Sequence, residues 1–361
     1  MSEAPRALPP PSRGRERPVG DPPCYAALDL GTNNCRLLIA TPTQHGGFRV
    51  VEAYSRIVRL GEGLTASGRL SDEAMERAMA ALKVSGEKVR RRRVVKFRAI
   101  ATQACRIAQN GQAFVNRVAN ETGVKLQIIS PQEEARLSVT GCLNLLDDRH
   151  EAALVVDVGG GSTELSWVDL KGVVPGATPP VRAWLSVPIG VVTLAERFPE
   201  GEVATEGWFR QMVDHVKAEI AAFKRADPMK PIFDADRAHL VGTSGAITSL
   251  AGMHLRLPRY DRNRVDGIWM SRGECEAAAG GLLALSSTER AAQPCIGPDR
   301  ADLVLAGAAI LQAVQEQWPC NRVRVADRGL REGILLSLMA ERSHRRRRKR
   351  RRGRGGTKAA A

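Results

Sequence analysis

The sequence predicts an α/β protein built as two lobes, and three observations carry that expectation. A short apolar run, a tight turn and a second apolar run span Tyr25–Ala40, with the turn reading Asp29-Leu-Gly31-Thr32-Asn33-Asn34-Cys-Arg36. The same pattern returns about 130 residues later around Asp157-Val-Gly159-Gly160-Gly161-Ser162-Thr163-Glu164. Stretches of strand and helix type follow each hairpin, which marks a duplicated α/β unit with its boundary near residues 139–151.

Both hairpins read as strand–turn–strand because their apolar runs are short and are broken by Gly, Asn, Ser and Thr. Glycine lets a backbone fold back with its N–H groups facing one concavity, and such a nest holds phosphate oxygens. Two nests, each entered by an Asp, point to one phosphorylated ligand gripped between the lobes. A lone Gly-Gly-Gly-Ser turn is more often punctuation than a site, so the pair carries the argument. No G-x-x-x-x-G-K-S/T occurs and no G-x-G-x-x-G opens a helix, which excludes P-loop and Rossmann sites.

The elements follow in order. Phe48 to Tyr54 reads as a strand, and the polar turn Arg59-Leu-Gly-Glu-Gly-Leu64 follows it. Ser71 is an N-cap with acids in the first turn behind it, and apolar residues at helical spacing run through Val84 to a basic end at Lys88–Arg93. Arg90–Arg93 fit a solvated helix end. Val94 to Ile100 is a strand, Gln112 to Gly123 a helix and Val124 to Ile129 a strand. Ser130 then caps a helix in which Pro131 sits where proline is tolerated, which puts Glu133 and Glu134 in its first turn. Such acids complement the helix dipole, whatever else they do. In the second half, Trp208 to Lys224 is a helix and Ala238 to Val241 a strand, and Gly242-Thr243-Ser244-Gly245-Ala turns into another helix.

Composition sets the class. The formal charge of +15 resembles that of a nucleic-acid binder, but eleven of the 54 Lys and Arg residues follow Glu341, and removing them leaves +4 for residues 1–341. Seven dispersed cysteines without a C-x-x-C pair read as reduced thiols of a cytoplasmic protein rather than a zinc site. No apolar run approaches 18 residues and no signal-peptide core is present, so a membrane span is not expected. Residues 1–22 are rich in Pro, Arg and Ser, and residues 341–361 reduce to Arg, Lys, Gly and Ala; both are expected to be disordered.

Five blocks in order then resemble the Ppx/GppA family of exopolyphosphatases and guanosine pentaphosphate phosphatases: Asp29-Leu-Gly-Thr-Asn-Asn-x-Arg36, Ile129-Ser-x-x-Glu-Glu134-Ala-Arg136, Asp157-x-Gly-Gly-Gly-Ser-Thr-Glu164, Gly242-Thr-Ser-Gly-Ala and Asp327-Arg-Gly-Leu-Arg-Glu-Gly333. The resemblance covers residues 24–340. It implies two actin-like ATPase (ribonuclease H-like) lobes, each a mixed five-stranded sheet with helices, divided as 23–138 and 139–340 around a phosphate-binding cleft. The longer members carry a helical C-terminal domain; this chain has a basic tail in its place and is similar to the short branch.

By that resemblance Glu134 is the general base that activates the attacking water, with Glu133 as the fallback one position away. Arg106, from Thr102-x-x-x-Arg106, is expected to grip a terminal phosphate in bidentate fashion. Gly31, Thr32, Asn33, Asn34, Arg36, Gly159, Gly160, Gly161, Ser162 and Thr163 would bind phosphate, as would Gly242, Thr243, Ser244 and Gly245, which equally suit close helix–strand packing or guanosine contacts. Asp157, Glu164 and Asp29 would hold Mg²⁺ or another divalent cation. Asp29 serves equally to fix its turn.

The implied activity is that of a phosphoanhydride hydrolase acting on inorganic polyphosphate, with guanosine pentaphosphate as the alternative substrate. The short architecture tilts the choice towards polyphosphate. A kinase of the same superfold would want an Asp base, and a non-catalytic polyphosphate, nucleotide or RNA binder would not need Glu134. Dimers are common in the family, so a homodimer is an assembly the resemblance allows. The eight consecutive basic residues Arg345–Arg352 suit polyanion contact, and capture of long polyphosphate near the cleft stands equally with a nonspecific solvated or RNA-binding tail.

Overall fold

The strand β1 (Tyr25–Leu30) is buried on both faces, which makes it the centre of a sheet covered from both sides. It pairs antiparallel with β2 (Asn34–Pro42) and parallel with β4 (Lys96–Ala101). With β3 (Phe48–Ile57) outside β2 and β5 (Leu126–Ile128) outside β4, the first sheet has the order β3-β2-β1-β4-β5. The structure, a computed structural model, describes residues 22–43, 47–171, 179–223 and 228–341. The expected disorder of both termini and the whole Arg-rich run lie outside the described residues, except Pro22 and Glu341.

The second sheet repeats the plan. β6 (Ala152–Val158) is central, flanked by β7 (Thr163–Asp169) and β8 (Val181–Val187) on one side and by β9 (Ala238–Thr243), β11 (Arg322–Ala326) and β10 (Trp269–Ser271) on the other, in the order β10-β11-β9-β6-β7-β8. Leaving aside β10, both sheets share one order and one pattern of parallel and antiparallel pairs, the plan of the actin-like, ribonuclease H-like lobe. The expected five strands are therefore six in this lobe. β10 is a three-residue antiparallel edge on β11, too short to leave a period in the sequence.

Alternation along the strands places the two cores. Ala26, Leu28 and Leu30 face the helix Asp72–Arg91 together with Leu37 and Ile39. The opposite residues of β1 and β2, Tyr25, Ala27, Leu38 and Ala40, pack with Leu137 and with Ile334, Leu335 and Leu338. In the second lobe Leu154, Val156, Leu165 and Trp167 face the large core built around the helices Glu206–Ala221 and Val304–Gln317. Ala153 and Val155 face Val139 and Cys142.

The helix Pro131–Cys142 therefore lies between the two sheets, with Leu137 in one core and Val139 and Cys142 in another. The helix over residues 330–341 also returns to the first sheet, although the sequence grouped 139–340 with the second lobe. The two helices cross with little space between them. A Cβ at Gly141 would meet the Gly329 carbonyl at 1.9 Å, and one at Gly333 would meet the Leu137 carbonyl at 1.9 Å, so both positions need glycine. All seven cysteines are free, and among the described residues no helix is long and apolar enough to cross a membrane.

Candidate active site

The antiparallel register explains which side chains meet. Asp29 lies opposite Arg36 on β1 and β2, and Asp157 lies opposite Glu164 on β6 and β7. Directly opposed residues project from the same face of a sheet. Each pair continues the face covered by the helix Pro131–Cys142, at the end of its strand where apolar side chains give way to polar ones. All four side chains line one cavity of about 280 Å³ at the junction of the lobes.

Glu134 enters that cavity from the start of the helix Pro131–Cys142. Ser130 caps this helix, accepting from the Glu133 N–H, and Pro131 opens it. One residue of helical rotation, about 100°, separates the two acids. Glu133 points outward to an ion pair with Arg98 at 2.6 Å, whereas Glu134 is buried and accepts from Arg106 Nη1 at 3.1 Å. The same Arg106 nitrogen donates to the Ile129 carbonyl at 2.8 Å.

The two turns are held from behind. The Thr32 carbonyl accepts from Gly61 N–H, and the Asn33 carbonyl accepts from Val58 and Arg59. In the second turn the Gly159 carbonyl accepts from Val191, and the Gly160 carbonyl from Val192. Each peptide is planar and trans, so a carbonyl tied backwards sends the next N–H the other way. The N–H groups of Asn33, Asn34, Gly160 and Gly161 thus point away from these braces, and all four residues line the cavity.

The glycines differ from the sequence expectation in their reason. None of Gly31, Gly159, Gly160 and Gly161 has positive φ, and the N–H groups of Gly31 and Gly159 close their own turns onto Asn34 and Ser162. Close approach is what requires glycine at Gly159 and Gly161, whereas a Cβ on Gly31 would meet nothing closer than 3.6 Å. A Cβ on Gly161 would stand 2.7 Å from Thr32 Oγ1, and one on Gly190 would stand 2.5 Å from the Gly161 nitrogen. The turns of the two lobes touch, and a third wall is the start of the helix Gly245–His254, capped by Ser244.

Electrostatics of the cavity follow from crowding. Burial pushes the Glu134 carboxyl well above its ordinary range, Glu164 adds to that, and Arg106 offsets part of it. Burial likewise raises Glu164, with Asp157 adding and the Ser186 and Ser162 hydroxyls opposing. Asp157 is raised to about 6 by burial, against a short hydrogen bond donated by Ser138. Burial raises Asp29, which Arg36 and Arg331 pull back. Cations are present as well: Arg36, Arg300 and Arg331 line the cavity, and among the described residues neither Arg36 nor Arg300 has an ion-pair partner.

This donor set fits a magnesium ion of a particular kind. Asp29 Oδ1 is buried without a hydrogen-bond partner, and Asp157 and Glu164 share its cavity. Among the described residues, however, no group of three or more His, Cys, Asp or Glu side chains is arranged to hold an ion alone. A preformed three-carboxylate cage is therefore not what the structure presents. Mg²⁺ suits such a site, because it keeps several waters and takes one or two carboxylates together with phosphate oxygens.

Of the residues singled out in the sequence, Arg106, Thr163 and Gly242 do not line the cavity. Arg106 holds Glu134 rather than standing free for a phosphate. Thr163 Oγ1 donates to the Ile189 carbonyl at 2.7 Å, and Gly242 makes room for Ile247. The sequence missed Thr102, Tyr260, Arg300, Arg331 and Glu332. Arg331 and Glu332 belong to the Asp327–Gly333 block, whose residues carry no role legible in the sequence. Glu332 is fixed by Arg262 at 3.0 Å and by the Gly329 N–H at 2.9 Å. Burial alone would raise its carboxyl, but Arg331, Arg262 and the backbone donor outweigh it and hold it below its ordinary range.

Comparison with known proteins identifies the family. Over 326 residues the chain is 29% identical to Exopolyphosphatase 2 of Mycobacterium tuberculosis, covering 87% of this chain and 98% of that protein. The crystal structure of the Aquifex aeolicus member of the Ppx/GppA family superposes with a TM-score of 0.71 at 28% identity, covering 89% of this chain and 98% of the other. An exopolyphosphatase structure from Cytophaga hutchinsonii shares the fold, with a TM-score of 0.77 at 23% identity over 88% of this chain and 98% of its own. Residues 38–342 match the model of the Ppx/GppA phosphatase family, and the chain belongs to that family of phosphoanhydride hydrolases.

Proposed function

We propose that the chain is a magnesium-dependent exopolyphosphatase, releasing the terminal phosphate of inorganic polyphosphate with Glu134 as general base. The observation that carries this is the placement of Glu134, buried in a cavity whose walls are two turns with outward N–H groups and a helix start. Two features favour an inorganic chain over a nucleotide. Among the described residues Tyr260 is the one aromatic side chain lining the cavity, so stacking for a guanine base is scarce. The M. tuberculosis relative is itself named an exopolyphosphatase.

Binding falls to the N–H groups of Asn33, Asn34, Gly160 and Gly161, the N-terminus of the helix Gly245–His254, and the guanidinium groups of Arg36, Arg300 and Arg331. One or two of Asp157, Glu164 and Asp29 would hold the magnesium ion together with phosphate oxygens, and the ion when bound neutralises charge on the transferring phosphoryl group. Glu134 accepts the proton of the water whose oxygen bonds to the terminal phosphorus. The bridging P–O bond breaks, and the shortened chain leaves with that oxygen. Arg106 holds the Glu134 carboxylate in position for this.

Removal of the base tests the assignment. In Glu134→Gln, phosphate release from long-chain polyphosphate with Mg²⁺ falls at least about 100-fold, while the affinity for that chain changes by less than about threefold. Activity within a few-fold of the parent would overturn the role of Glu134.

A further inference from the structure

Serine hydroxyls beside the carboxylates of the cavity play no part in the reaction as written. Ser138 lies one helical turn after Glu134 on the helix Pro131–Cys142, so the two side chains leave the same face, and Ser138 is buried. A serine or threonine inside a helix has a local outlet for its proton, the carbonyl four residues back. Ser85, Thr140, Ser249 and Ser337 all take it. Ser138 does not. Its hydroxyl crosses to the second sheet and donates to Asp157 Oδ2.

The packing around Ser138 suits that contact. A Cβ at Gly329 would stand 3.4 Å from Ser138 Oγ, so the glycine leaves the hydroxyl its space. The neighbouring hydroxyl of Thr243 is spent on the Arg328 carbonyl at 2.8 Å. Glu164 is held in the same manner from the other side. It lies opposite Ser186 on β8, and Ser186 Oγ donates to Glu164 Oε1 at 2.7 Å. The Ser162 hydroxyl bonds the same carboxyl group. Carboxylates gripped in this way cannot swing to face one ion with both oxygens without giving up those bonds.

We propose that Ser138 and Ser186 are positioning residues that limit Asp157 and Glu164 to single-oxygen contacts with a divalent cation, and so select Mg²⁺ over Ca²⁺. The proposal rests on the magnesium-dependent reading of the site. Mg²⁺ is small, demands octahedral geometry and takes few protein oxygens, whereas Ca²⁺ accepts more oxygens and commonly both from one carboxylate. Hydrogen bonds to the ligating carboxylates therefore act on the choice of ion as well as on affinity. Ser138 also ties Asp157 to the helix that carries Glu134, so the two carboxyl groups keep one spacing.

Direct binding of each ion to the purified full chain, without polyphosphate and with sulfate as a soluble stand-in for phosphate, tests this. Ser138→Ala and Ser186→Ala are compared singly and together. In the double variant the Kd for Mg²⁺ is expected to rise about tenfold or more, with the Kd for Ca²⁺ unchanged or lower. Ser186→Thr keeps a hydroxyl on a strand position and should hold the parent ratio of the two Kd values. Damaged packing would weaken both ions equally, and that result would overturn the proposal. An unchanged ratio, or a parent that binds neither ion, would overturn it too. If the double variant does not fold, Ser186→Ala against Ser186→Thr decides, and equal ratios in those two would sink the selection. Phosphate release from polyphosphate is measured on the same parent preparation. The expected shift in ratio without release would keep the role of the serines and overturn the exopolyphosphatase reading. Release with an unshifted ratio would do the reverse.

Discussion

At the residue scale the pair Glu133 and Glu134 shows how little separates a surface acid from a buried one. The sequence put both in the first turn of one helix, and only the family resemblance chose between them. The helical turn resolves it, sending Glu133 to Arg98 and Glu134 into the cavity. Glu133→Gln is therefore expected to leave kcat within about twofold and to cost at most about 1 kcal/mol of stability, read from phosphate release and thermal unfolding. Arg106 went the other way. Its position after a strand end suggested a phosphate clamp, yet its guanidinium faces Glu134 and a backbone carbonyl. Arg106→Ala should thus lower kcat about tenfold or more while KM for polyphosphate moves less than threefold. A clamp would give the opposite split, with KM rising and kcat preserved.

Among the elements, the two hairpins were legible because breaker residues interrupt short apolar runs, and the observed strands differ from the expected ones by a few residues at their ends. The reason for the glycines was not legible. Sequence alone cannot distinguish a left-handed turn from a backbone pressed against neighbouring atoms, and here it is close packing, across the lobes at Gly161 and within the second lobe at Gly190. Gly190, which the sequence did not mark, is the sharpest case: its Cβ would stand 2.4 Å from the Gly160 carbonyl carbon. Gly190→Ala is expected to displace the glycine turn, lower the unfolding free energy by about 1–3 kcal/mol and reduce kcat/KM about tenfold or more.

The strand β3 and the helix Asp72–Arg91 are tied by Glu52, whose carboxyl is held at about 2, mainly by hydrogen bonds from Lys88 and Arg92. Its folded value lies below the unfolded one, so its contribution is present above about 4.5 and is lost as pH falls towards 2. In Glu52→Gln, the slope of Tm against pH should flatten across that window, and Tm at pH 7 should drop. An unchanged acid limb would show that the three cations contribute nothing through Glu52.

On the scale of the whole molecule, the two-lobed plan followed from seeing one hairpin pattern twice. The way the lobes are joined did not. The helix Pro131–Cys142 is amphipathic in a sense no single face reveals, because it serves a core on each side, and the helix over 330–341 crosses it at Gly141 and Gly333 before ending against the first lobe. The helix Val304–Gln317 is buried nearly all round, so no amphipathic period announced it. Long-range returns of this kind leave no local signature. The same geometry sets Glu134, the two hairpin turns and the cationic side chains of Arg36, Arg300 and Arg331 around one cavity.

Phosphate release by the purified full chain with Mg²⁺ tests the central claim most directly, comparing long-chain polyphosphate with guanosine pentaphosphate at equal concentrations of terminal phosphate. The account predicts faster release from polyphosphate, abolished in Glu134→Gln. Preferential release from guanosine pentaphosphate would contradict it and make the chain a nucleotide phosphatase.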